Sequence, residues 1–293
     1  MSIIEAALQR TRGKDQGRNP NEGVNVSLAS NDRGPVFKAK QTLSLDPDQL
    51  EAVGLGAPAE LRRRQMHEYR HIKRALLDIA ADESLPMRNV VMVTSALAGD
   101  GKTFTSFNLA RSMALELDRR VLLIDADVLR RGLSTSLGLE NVPGLVDLLR
   151  DERIELEDVI RQSSDETLSF LPAGRLDDNV NELLASDRMG RTVARLSNVL
   201  PRQLTIFDSP PLLLTSEASA LAAFAGQIVL VVRAFQTGQD DVREALARLD
   251  PNKRISAVFN AWQPSAPFEK HYGAGHYYGT DESHQNQGTK SRR

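Results

Sequence analysis

Val90-Val91-Met92-Val93-Thr94-Ser95-Ala96-Leu97-Ala98-Gly99-Asp100-Gly101-Lys102-Thr103-Phe104 reads as a strand, a tight loop and the opening of a helix. The apolar run is continuous rather than alternating, as expected of a strand buried on both faces of a parallel sheet. Small residues then let the backbone turn sharply, so that successive N–H groups converge on an anion at a helix N-terminus. Lys102 would reach the outer phosphates of a nucleotide, and the Thr103 hydroxyl would ligate Mg²⁺. Ala98, Gly99, Asp100, Gly101, Lys102, Thr103 and Phe104 are therefore the candidate nucleotide-binding residues. Ala96 stands where the first glycine of this pattern is usual, a change that its small side chain tolerates.

Working outward, similar short apolar runs recur at Asn89–Ser95, Arg120–Asp125, Thr167–Leu171, Gln203–Asp208, Gln227–Val232 and Ser256–Asn260. Helical periods lie between them at Lys102–Leu117, Asn181–Leu200, Glu217–Ala225 and Gln239–Leu249. Strand alternating with helix predicts an α/β fold, a doubly wound, mostly parallel sheet with helices on both faces. Ligands of such sheets sit outside the carboxyl ends of the strands. Three carboxylates, Asp125, Asp127 and Asp208, fall at those ends. Beside a phosphate loop they predict a metal site with Thr103, since Mg²⁺ takes one or two carboxylates plus waters and phosphates. How roles divide among the three stays open. Asn260, ending the last strand, reads either as an adenine contact or as a turn residue. ATP and Mg²⁺ are the expected cofactors, and the set is that of a P-loop NTPase.

The rest of the chain bounds this reading. It has 293 residues, 41% of them hydrophobic, a formal net charge of −2 and no cysteine. Disulfides, thiolate metal sites and cysteine nucleophiles are excluded, and nothing global pulls the chain toward nucleic acid. The N-terminus has no signal-peptide pattern, and the apolar stretches are strand-sized, far below the roughly 20 residues of a spanning helix. Residues 1–45 read as a mostly disordered tail with a possible short helix carrying Ile3, Ile4, Ala7 and Leu8. Residues 46–262 read as the folded domain, and 263–293 as a flexible C-terminal tail. Three of the four tyrosines, Tyr272, Tyr277 and Tyr278, fall in that last segment, where there is no core for them to fill.

The segments Ser95–Thr103, Leu122–Asp127 and Ile206–Pro211 together resemble the Walker A, A′ and B motifs of bacterial tyrosine kinases. Glu68–Arg74, Asn181–Ser186 and Pro210-Pro211-Leu212-Leu213 resemble the exosortase-associated tyrosine autokinases of exopolysaccharide gene clusters. The resemblance covers about residues 45–280. Ala98 stands where those kinases usually have Pro, Asp100 where Glu is common, and Arg131-Gly132 replaces a frequent Arg-Pro. The resemblance implies a cytoplasmic autokinase that phosphorylates Tyr272, Tyr277 and Tyr278 of a neighbouring subunit. Lys102, Asp125, Asp127 and Asp208 would be its catalytic residues. It also implies docking on a membrane chain-length-determinant (polysaccharide co-polymerase) protein and a role in exopolysaccharide synthesis. Two alternatives are an ATPase switch of the partition and division-site type and a binding module whose tyrosines another kinase modifies. Partition ATPases carry an extra lysine early in the loop, where this chain has Leu97.

His67-Glu68-Tyr69-Arg70-His71 matches the helical zinc-protease pattern, but it precedes a nucleotide-binding sheet and reads as a chance match. The same predicted helix carries Arg62, Arg63, Arg64, Arg70, Lys73 and Arg74, either a solvated face or a subunit contact. Ring-forming relatives space Glu, Arg and Arg three apart there; the matching positions here are His67, Arg70 and Lys73. Homo-oligomerisation, in the form of a ring, is the corresponding expectation.

Overall fold

The computed structural model describes residues 42–43, 45–164, 168–176, 179–197 and 202–261. The strands are β1 Thr42–Leu43, β2 Val90–Ser95, β3 Arg120–Asp125, β4 Arg161–Ser163, β5 Leu168–Leu171, β6 Gln203–Asp208, β7 Gln227–Arg233 and β8 Arg254–Asn260. They form one sheet in the order β1-β4-β5-β3-β6-β2-β7-β8. Every pairing is parallel except that of β4 with β5.

The helices among the described residues begin with α1 Pro47–Ala52, α2 Arg62–Ala81, α3 Lys102–Ala114, α4 Gly132–Ser136 and α5 Leu145–Arg150. They continue with α6 Leu156–Val159, α7 Val180–Leu184, α8 Asp187–Ser197, α9 Ser216–Phe224 and α10 Gln239–Ala247. Alternate strand residues feed two separate cores. Val90, Met92, Leu122, Ile124, Phe207, Ile228 and Leu230 pack with residues of α5, α7, α8, α9 and α10. Val91, Val93, Val121, Leu123, Ile206, Val229 and Val231 pack with residues of α2 and α3 on the other face. Burial on both faces is why these strands read as continuous apolar runs rather than alternating ones.

Two expectations change in detail. The single helix read over 181–200 is split, because the Ser186 hydroxyl accepts the Met189 N–H at 3.2 Å and starts α8 afresh. Thr42 and Leu43, at the end of the segment read as tail, lie beside Gln162 and Ser163 as a parallel edge strand. Apart from Leu45, the remaining tail residues, with Tyr272, Tyr277 and Tyr278, lie outside the described residues. No described helix is long and apolar enough to cross a membrane.

Candidate nucleotide site

The loop between β2 and α3 turns through two left-handed glycines, Gly99 at φ 90° and Gly101 at φ 96°. Gly101 is required twice over, since a Cβ there would also fall on the Asn260 side-chain amide. No side chain caps the N-terminus of α3, so its leading N–H groups remain available to an anion. Lys102 and Thr103 open the helix. The Lys102 ammonium is buried and lies 3.2 Å from Asp127 Oδ2.

The ends of β3 and β6 bring the carboxylates in. Asp125 and Asp208 are register partners on adjacent strands, and Val93 of β2 is the partner of Asp208 on its other side. Asp125 is sealed from solvent, and its Oδ2 accepts both the Ser134 N–H at 2.8 Å and the Ser134 hydroxyl at 2.7 Å. Its Oδ1 has no partner within hydrogen-bond distance, nor has either oxygen of the buried Asp208, although the Thr103 hydroxyl lies close enough to favour its charged form. Burial pushes the Asp208 carboxyl up to about 7, with Asp125 adding to the rise and Lys102 and the Thr103 hydroxyl holding it down. Burial also raises Asp125, while Ser134 opposes the rise. Such groups hold their charge poorly until a cation arrives.

Among the described residues no group of three His, Cys, Asp or Glu side chains is placed to hold a metal ion. The three carboxylates lie within electrostatic reach of one another, Asp125 and Asp127 both raising Asp208, but they take different partners. Asp127 faces Lys102, Asp125 faces Ser134, and Asp208 keeps both oxygens unengaged. That arrangement fits Mg²⁺ brought in with a nucleotide, because phosphate oxygens and waters then complete its shell around one or two carboxylates. Asp208 and Thr103 are the residues suited to that shell.

Asn260 donates its side-chain amide to Asp100 O at 2.9 Å, so it braces the phosphate loop from β8. Ser134 had no motif to announce it, since a serine inside a short helix carries no chemical pattern. Tyr69, the one tyrosine among the described residues, is 7% exposed, and burial raises its phenol pKa well above the ordinary value. On α2, the exposed His67 and His71 rings lie 4.9 Å apart. Arg62 pairs with Asp48 and Glu51, Arg64 with Glu68, and Lys73 with Glu116. Lys73, the last of the three positions compared with the ring motif, is thus engaged within its own chain.

A family model described as an AAA domain matches residues 88–250. Tyrosine-protein kinase YwqD of Bacillus subtilis is 31% identical over 238 residues, 80% of this chain and 94% of that protein. Putative tyrosine-protein kinase EpsB of Ralstonia nicotianae is 34% identical over 195 residues, 65% of this chain but 25% of that protein. The match thus spans only about a quarter of EpsB. Among solved structures, the kinase domain of Escherichia coli tyrosine kinase ETK superimposes with a TM-score of 0.59 at 29% identity, covering 68% of this chain and 78% of that one. The VpsO kinase domain gives 0.60 at 29% identity, covering 71% and 100%.

Proposed function

Because the chain belongs to the bacterial tyrosine-protein kinases, with the AAA domain at residues 88–250, we propose that it transfers the γ-phosphoryl group of ATP to Tyr272, Tyr277 and Tyr278 of a neighbouring copy. The observation that carries this reading is Asp208, buried with both oxygens unpartnered beside a phosphate loop whose lysine is already in place.

Phosphoryl transfer through a loose transition state asks for alignment and charge neutralisation more than for a strong base. Lys102 supplies a buried positive charge to the β- and γ-phosphates, moving from Asp127 onto the nucleotide. The N–H groups at the start of α3 take the remaining phosphate oxygens. A bound Mg²⁺ would supply further neutralisation of the transferring group. Thr103 and Asp208 would hold that ion, with Asp127 beside it. Asp125, fixed through Oδ2 by Ser134 and fully buried, is better suited to orienting the shell of that ion through Oδ1 than to touching an incoming tyrosine hydroxyl. Tyr69 is excluded as an acceptor by its burial.

The same reading places the protein in the cytoplasm, held at the inner membrane by a membrane chain-length-determinant protein and controlling exopolysaccharide synthesis or export. It is tested by intact mass after phosphate-free protein is incubated with ATP and Mg²⁺. Additions of single phosphates on the wild type, absent from Lys102→Met and from the triple Tyr→Phe variant at 272, 277 and 278, are expected. Hydrolysis of ATP with no change in mass would replace the kinase by an ATPase switch.

A further inference from the structure

Asp100 lies within the phosphate loop and is 4% exposed, yet both of its oxygens are engaged by protein donors. Oδ2 accepts the Leu97 N–H at 3.1 Å, and Oδ1 accepts the Thr237 hydroxyl at 2.8 Å. Thr237 Oγ1 in turn accepts the Arg233 N–H at 3.1 Å. From the same segment, Arg233 Nη1 donates to Gly99 O at 3.0 Å. The end of β7 and the turn that follows it therefore grip the phosphate loop at Gly99 and at Asp100.

We propose that Thr237 and Asp100 form a latch that holds the empty phosphate loop in its nucleotide-binding shape, making both of them positioning residues for ATP. The loop needs such a device. Its two left-handed glycines give the free chain many conformations, and only those with converging N–H groups bind phosphate. Affinity falls in proportion to the fraction of molecules in the competent shape. Asp100 ties the loop to itself through Leu97 and to the rigid end of β7 through Thr237, so one carboxylate fixes both the curl of the loop and its place. Besides accepting the Arg233 N–H, Thr237 has no capping duty at α10, whose first-turn acid, Asp241, bonds to Gly238 N instead.

The proposal rests on the nucleotide reading above, and the test separates the two. The dissociation constant of a fluorescent N-methylanthraniloyl-ADP is measured with Mg²⁺ for the wild type, Thr237→Val and Thr237→Ser, beside melts without ligand. Thr237→Val keeps the shape and removes the hydroxyl, and with it both the bond to Asp100 and the acceptor of the Arg233 N–H. It should bind about tenfold more weakly, the loss expected for one hydrogen bond to a charged group. Thr237→Ser should recover to within about twofold. The KM for ATP should rise with Thr237→Val while kcat stays within about twofold, a split that general destabilisation does not produce. Should Thr237→Val fail to fold, Arg233→Met cuts the tie to Gly99 O and should weaken binding in the same direction. Wild-type affinity in the hydroxyl-free variant would overturn the latch alone. Absence of binding by the wild type would overturn the nucleotide reading and the latch with it.

Discussion

Lys102 Nζ stands 3.2 Å from Asp127 Oδ2, with the two side chains only 7% and 6% exposed. A buried pair of this kind is weak as a source of stability but costly to break, because the survivor is left charged and unsolvated. Here it keeps the ammonium positioned beside the loop before phosphate arrives. Asp127→Ala should therefore lower the unfolding free energy of the ligand-free protein by about 3–5 kcal/mol, read by urea denaturation. ATP or ADP, whose phosphates offer Lys102 a new partner, should restore part of the loss.

Asp208 carries the opposite signature. Its carboxyl titrates near 7 in the folded protein against 3.8 for the free side chain, so the folded state binds this proton more tightly than the unfolded one. The stabilising contribution is complete below the unfolded value and disappears as pH rises through about 7. Asp208→Asn removes that dependence. Without ligand, the variant should melt above the wild type at pH 8, and the gap should narrow toward pH 5. The same variant should give no phosphate addition with ATP and Mg²⁺. A wild-type melting curve parallel to that of the variant across this range would contradict the assignment.

The central sheet was legible because β2, β3, β6 and β7 are buried on both faces and so leave unbroken apolar runs in the sequence. β4 was not, being only the three residues Arg161–Ser163, and α4 to α6 are too short to show a helical period. The turn of the loop was legible where backbone geometry demands a residue type, as at Gly99 and Gly101. The site was not legible where a side chain acts only by reaching a distant one. Ser134 meets Asp125 from nine positions away, and Thr237 meets Asp100 across 137 positions. Asn260 was visible as the end of a strand, while its grip on the Asp100 carbonyl came only with the fold.

Burial argues against Tyr69 as an acceptor. Tyr69 is 7% exposed and packs in the core between α2 and α3. Tyr69→Phe should leave the number of phosphates gained unchanged in intact-mass spectra. Changing Tyr272, Tyr277 and Tyr278 together should reduce it to zero. A phosphate retained by that triple variant and lost on adding Tyr69→Phe would mean that α2 opens during the reaction.

The two loop glycines should not be equally replaceable. An alanine at either must adopt a left-handed conformation, costing roughly 1–2 kcal/mol. Around Gly99 an added Cβ meets nothing within 4 Å, whereas at Gly101 it collides with the Asn260 amide. Gly101→Ala must therefore also displace Asn260 from Asp100 O, losing a hydrogen bond worth about 1 kcal/mol. Urea denaturation should rank the ligand-free proteins as wild type, then Gly99→Ala, then Gly101→Ala. In the background Asn260→Ala, where the obstructing amide is gone, the gap between the two glycine variants should close. A gap that persists there would place the cost of Gly101→Ala in its backbone alone and not in its contact with β8.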